Sequence, residues 1–170
     1  RVFDFDDTLV KTDAKVKVTY PSGKVEKLSA GGFSTHKMSQ DNEYDFSEFN
    51  HVINPREITQ VTTILRNVVS AGGGREVVIL TARDPESQEA IKKYLTDIGI
   101  NPDSINIVLL GSSDPMAKAN WIENRIADGI NDVLFLDDSG KNIQAVQGLK
   151  KKYPDIKLDA RVVKYGEQLL

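Results

Sequence analysis

Asp132-Val133-Leu134-Phe135-Leu136-Asp137-Asp138-Ser139-Gly140 decides how the chain is read. An unbroken apolar run, 133–136, stops at two carboxylates, and Gly140 opens a stretch with helical spacing over 140–151. A strand apolar on both faces needs helices on both sides, as in a parallel sheet. The same unit recurs on either side of it. Residues 105–110 form a strand and 115–127 a helix; residues 76–81 (EVVILT) form a strand and 85–98 a helix closed by Gly99. Residues 2–5 (VFDF) are a short buried strand running into acids, and a last strand covers roughly 157–164. Such alternation predicts an α/β fold: a doubly wound, mostly parallel, Rossmann-like sheet with helices on both faces.

One segment breaks the rhythm. Val16, Val18 and Tyr20, the turn Pro21-Ser22-Gly23-Lys24, then Val25 and Leu28 have the period-two pattern of a β-hairpin. Residues 29–54 are polar, with Gly31-Gly32, and read as loop-rich. Pro55 suits the first position of a helix capped by Asn54, with Ile58, Val61, Ile64, Leu65, Val68 and Val69 at helical spacing and Gly72-Gly73-Gly74 as its stop. The expected organisation is a single domain, 1–170, carrying a small flap insertion, 12–54.

Of 170 residues, 39% are hydrophobic and 28% charged, which excludes disordered and membrane classes. Cysteine is absent, ruling out disulfides and thiolate metal sites and fitting a reducing, cytoplasmic setting. No apolar run approaches the roughly 20 residues that span a bilayer, and no signal peptide is visible. Because the chain opens on Arg1 and enters a strand at once, a few preceding residues are expected. The net charge of −3 argues against broad nucleic-acid binding, while a phosphorylated nucleic-acid end remains an acceptable substrate. The basic run Lys150-Lys151-Lys152 falls where a helix ends, where cations complement the helix dipole.

Ligands of open α/β sheets sit beyond the carboxyl ends of the strands. There the first strand delivers Asp4, Asp6 and Thr8, the second Thr81 followed by Arg83, and the strand at 132–137 delivers Asp137 and Asp138. Lys118 lies near the start of the preceding helix. Four acids gathered at one edge would repel without a cation, and oxygen ligands of this kind suit Mg²⁺.

Val2-Phe3-Asp4-Phe5-Asp6-Asp7-Thr8-Leu9 resembles the first motif, hhhDxDxT, of the haloacid dehalogenase superfamily phosphatases. Thr81, Lys118 and Phe135-Leu136-Asp137-Asp138 are similar to the second, third and fourth motifs, in order. Position 7 is Asp where many members carry Gly. The resemblance implies a Mg²⁺-dependent phosphomonoester hydrolase working through a covalent aspartyl-phosphate. Asp4 would be the nucleophile and Asp6 the general acid and base, with Thr81 and Lys118 as the other catalytic groups. Phe5, Thr8, Thr81, Ala82, Arg83 and Lys118 would surround the phosphoryl group. Asp4, Asp6, Asp137 and Asp138 would hold the metal, Asp6 through its carbonyl, with Asp138 as direct ligand and Asp137 bridging to Lys118. The small flap is similar to those of members acting on large substrates, such as phosphorylated protein or nucleic-acid ends; a nucleotide or small metabolite fits if the hairpin or a second subunit closes the site.

A metal-independent dehalogenase of the same fold would not gather these acids. A phospho-accepting receiver module carries its acid pair after the first strand and its Lys last, the reverse of this chain, and an idle binding domain would lack a catalytic group, whereas none is missing here. Arg83 suits either substrate contact or an ion pair, and Asn142 is expected to tie the loop after 137 together. His36 and His51, isolated in the insertion, read as packing or surface residues rather than zinc ligands. Tyr44, Phe46 and Phe49 read as a small satellite core rather than a base-stacking platform.

Overall fold

The computed structural model describes residues 1–164. In chain order the elements are β1 (Val2–Phe3), β2 (Val10–Lys11), β3 (Lys15–Thr19), β4 (Val25–Ser29), α1 (Ala30–Ser34), β5 (Glu43–Asp45), β6 (Arg56–Glu57), α2 (Thr59–Ala71), β7 (Val78–Thr81) and α3 (Gln88–Asp97). There follow β8 (Asn106–Leu109), α4 (Pro115–Ala127), β9 (Asp132–Asp137), α5 (Gly140–Gln147), α6 (Leu149–Lys152) and β10 (Lys157–Val162).

Strands β10-β9-β1-β7-β8 form a five-stranded sheet in which every pairing is parallel. Successive side chains alternate between its faces. Phe3, Ile79 and Leu136 pack with Val61 and Leu65 of α2 and Ile91 and Leu95 of α3. Val2, Val78, Leu80 and Phe135 pack with Ala119 and Ile122 of α4 and Ile143 and Val146 of α5. Two cores, one per face, explain why the strands are apolar throughout, and the expected α/β architecture holds. Among the described residues no helix is long and apolar enough to cross a membrane.

Topology fixes where the site can lie. From β1 the chain moves outward to β7 and β8, then returns through α4 to β9 on the other side of β1. That reversal separates β1 and β9 at their carboxyl ends and opens the crevice typical of such sheets. Register aligns the two strands as Val2↔Phe135 and Phe3↔Leu136, and Asp4 N–H donates to the Leu136 carbonyl at 2.9 Å. Asp4 and Asp137 are thereby neighbours.

The insertion is more ordered than its composition predicts. The expected hairpin forms, with Val16↔Leu28 and Val18↔Glu26 in register, but β5 adds a third strand through Val18↔Tyr44. Glu43-Tyr44-Asp45 is a polar segment with one inward side chain, which hides its strand character. α1 is also present, capped by the Ser29 hydroxyl. The helix expected from Pro55 instead begins at Thr59, with Ile58 as its N-cap. Asn54 does not cap it: this residue takes φ 47, a left-handed turn. Residues 56 and 57 are claimed by β6, whose pairing Val10↔Glu57 and Lys11↔Arg56 closes the neck of the insertion. Asp13 reinforces that neck, accepting from Asn54 Nδ2 at 2.7 Å and Arg56 at 2.9 Å.

Elsewhere the boundaries shift little. Pro85–Ser87 is a tight 3-10 turn ahead of α3, and the helix expected over 140–151 is divided at Gly148 into α5 and α6. The lysines of α6 do close a helix, with Lys152 paired to Glu123 at 2.6 Å and Lys150 bonded to the Ile156 carbonyl.

Candidate active site

At the carboxyl edge of the sheet lies a cavity of about 840 Å³ lined by Asp4, Asp6, Thr81, Lys118, Asp137 and Asp138, together with residues of the insertion. Asp4 leaves β1 just where the ladder ends. Thr81 is the last residue of β7, Asp137 the last of β9, and Lys118 lies on the first turn of α4. Asp114 accepts from Met116 N at 2.9 Å to start that helix, and Pro115 follows at its first position, so the lysine's placement is built into the cap.

Lys118 is the hub. Buried at 3% exposure, its ammonium donates to Asp4 Oδ1 at 2.7 Å and to Asp137 Oδ2 at 2.8 Å. Burial opposes its charge, yet attraction to Asp4 and Asp137 outweighs burial and raises its pKa above the usual lysine range. Asp137 is fully enclosed. It accepts additionally from Ser139 N at 2.8 Å and from Asn142 Nδ2 at 3.1 Å, the loop-tying role expected of Asn142. Ser139 in turn caps α5.

Asp4, Asp137 and Asp138 each place a carboxylate oxygen within 4.8 Å of one another. One lysine against three acids leaves negative charge uncompensated. Burial, then repulsion from Asp137, pushes Asp4 up to about 6 from its ordinary 3.8. Burial, then repulsion from Asp4, pushes Asp138 up to about 10. The donor set is all oxygen, compact and anionic, the chemistry that suits a hard divalent cation such as Mg²⁺.

The Asp6 carboxylate does not join that cluster. It receives two bonds from Arg83, Nε to Oδ2 and Nη2 to Oδ1, each at 2.8 Å. Arg83 Nη1 donates to the Phe49 and His51 carbonyls, both at 2.7 Å, and its guanidinium lies about 5 Å from the Phe5 and Phe49 ring centres. Of the two roles open to Arg83 from sequence, substrate contact and ion pair, the geometry realises the ion pair: the guanidinium is committed to protein groups.

Other expected phosphoryl contacts divide likewise. Thr81 and Ala82 line the cavity. The Thr81 hydroxyl accepts from Arg83 N at 3.2 Å, which orients its own proton away from that amide. Thr8 and the Phe5 ring stand behind the wall, while the role expected at position 5 belongs to its backbone amide. The Phe5 side chain is wholly in the core, and the Thr8 hydroxyl sits 3.0 Å from Asp4 Oδ2 and 3.5 Å from Asp138 Oδ1, supporting the acids. Asp7, buried, holds Lys11 at 3.1 Å and takes φ 61, a left-handed conformation that glycine adopts freely and Asp tolerates.

Several residues of the site lie outside the sequence motifs. Phe33, His36, Met38, Phe46 and Phe49 of the insertion also line the cavity. Tyr44 and Phe46 do belong to a satellite cluster with Phe33, the Tyr44 hydroxyl bonded to His36 Nε2 at 2.9 Å, to Asn42 and to Ser39 N, and Phe46 also lines the cavity. His36 and His51 are far from assembling a metal set: His36 is bound to Tyr44, and His51 contributes its carbonyl to Arg83. Gly111 closes another side with φ +60, and a Cβ there would stand 2.9 Å from Asp84 Oδ1, so only glycine fits without a shift. Comparison with family models, curated proteins and solved structures returns no match to this chain.

Proposed function

We propose that the protein is a Mg²⁺-dependent phosphomonoester hydrolase using Asp4 as nucleophile, of the kind found in the haloacid dehalogenase superfamily. The observation that carries this reading is the position of Lys118, bonded at once to Asp4 and Asp137 beside a third acid, Asp138, at the switch point of the sheet. Asp4, Asp138 and the carbonyl of Asp6 would hold the cation, with Asp137 kept for Lys118. Bound there, the ion would neutralise the acids and the phosphoryl oxygens.

The chain's own groups have separable roles in this scheme. Asp4 Oδ2 attacks phosphorus while Oδ1 stays on Lys118, so one carboxylate oxygen remains anchored as the other reacts. Lys118 and Thr81 stabilise the charge on the transferring group, where phosphoryl transfer needs most help. Asp6, once one of its oxygens leaves the Arg83 fork and takes a proton from solvent, would protonate the departing oxygen as the P–O bond breaks, then remove a proton from the water that hydrolyses the acyl-phosphate. The test is hydrolysis of p-nitrophenyl phosphate with Mg²⁺ by the purified protein and its Asp4→Asn variant. Turnover that survives this substitution would end the nucleophile assignment.

A further inference from the structure

The phosphohydrolase reading leaves half of the cavity unexplained. To its lining the insertion contributes Ala30, Phe33, Met38, Phe46 and Phe49, with His36 and Lys37. Phe46 and Met38 are 37% and 53% exposed, so the insertion presents apolar surface beside its ring cluster. That cluster is preorganised. Phe33 meets Phe46 edge-on at 5.2 Å between centroids and stacks with His36 at 6.2 Å, while Tyr44 backs Phe46 at 6.2 Å and 23°. The acids with Lys118 and the aromatic rings share one space of about 840 Å³, which suits a phosphate ester carrying a flat, polar ring system.

We infer that the substrate class is a free nucleoside monophosphate, its base held against Phe46 and Phe33. This rests on the proposed phosphohydrolase site. Charge around the cavity does not favour an oligonucleotide end: Asp84 and Asp114 offset Lys37 and Lys141, and Asp7 is paired with Lys11, so no basic track is offered to additional backbone phosphates. Polar groups on the remaining wall, Asn50, Ser112 and Ser113, offer donors and acceptors to a sugar and a base edge, which a phosphotyrosine ring cannot use.

Calorimetric titration of the Asp4→Asn protein with Mg²⁺ present tests this without turnover, and kcat/KM of the unaltered protein repeats the comparison. The ligands are nucleoside 5′- and 3′-monophosphates, glucose 6-phosphate, a phosphotyrosine peptide and a phosphorylated tetranucleotide. Nucleoside monophosphates are expected to bind about tenfold or more tightly than glucose 6-phosphate, an advantage lost in Phe46→Ala and kept in Phe46→Trp. Equal binding of glucose 6-phosphate, tighter binding of the peptide or tetranucleotide, or indifference to Phe46→Ala would overturn it. Acetyl phosphate hydrolysis by the unaltered protein reports on the phosphohydrolase reading separately. Nucleotide binding without that turnover removes the hydrolase and keeps the nucleotide site; turnover without nucleotide preference does the reverse.

Discussion

Arg83 grips Asp6 through two parallel 2.8 Å bonds while the same guanidinium holds the Phe49 and His51 carbonyls of the insertion. A planar fork is needed for this, since it must satisfy a carboxylate and two carbonyls at once. Arg83→Lys keeps the charge but loses the fork. Its kcat is expected to fall about tenfold or more for an alkyl phosphate, whose leaving group needs protonation, and distinctly less for p-nitrophenyl phosphate. Equal losses on both substrates would detach Arg83 from the acid step.

The same pair should matter for folding. With the Arg83 side chain 2% exposed and that of Asp6 18%, Arg83→Ala strands a partly buried carboxylate and two carbonyls. A loss of about 3 kcal/mol in urea unfolding is expected. A loss under about 0.5 kcal/mol, typical of surface pairs, would show that solvent replaces the guanidinium freely.

Mg²⁺ affinity should rise with pH. The Asp138 carboxyl, raised to about 10 by burial and Asp4, and Asp4, raised to about 6, hold protons in the folded state that the unfolded chain has released above its ordinary 3.8. Raised carboxyls weaken folding as pH climbs from the unfolded value towards the folded one. A cation displaces those protons. Between pH 6 and 9 the apparent Mg²⁺ affinity is therefore expected to increase, by up to about tenfold per unit where one proton is displaced. Calorimetry in buffers of differing ionisation enthalpy measures the released proton directly; flat affinity without proton release contradicts the account.

Function and stability should oppose each other at Asp138. Asp138→Asn spares the folded state the proton that a buried Asp138 must take up at pH 8 and is expected to raise metal-free stability there by about 2 kcal/mol. The same variant should lose stabilisation by Mg²⁺ and lose turnover. Thermal unfolding with and without the ion separates the two effects.

Lys118→Met tests the opposite sign. Without its ammonium, Asp4 and Asp137 face each other uncompensated in a dry site. A destabilisation of about 3–5 kcal/mol is expected at pH 8, shrinking towards pH 5 as protonation relieves the repulsion. A cost independent of pH would assign Lys118 to packing alone.

The sheet and its acidic edge were legible because both follow from local pattern. Val133 to Leu136 is apolar on both faces, and Asp137 lands at the edge because the strand ends there. Spacing placed Lys118 on α4, and topology did the rest. What escaped the sequence depends on distant partners. Arg83 meets Asp6 across 77 positions, and Arg56 and Glu57 abandon a plausible helix start because Val10 and Lys11 need partners. Phe33, beside Gly31-Gly32 in a polar stretch, offers no periodicity from which its place among Tyr44 and Phe46 could be read.

Two residue pairs, Val10↔Glu57 and Lys11↔Arg56, together with Asp13's bonds to Asn54 and Arg56, stitch the neck between β2 and β6. Of the residues beyond that seam, Val52 packs against the core under α2 and α3, and the Phe49 and His51 carbonyls hold Arg83, while Phe33, Met38 and Phe46 belong to neither core. New loops could be exchanged at this seam to retarget the chemistry, provided each replacement returns two carbonyls to the guanidinium that awaits them.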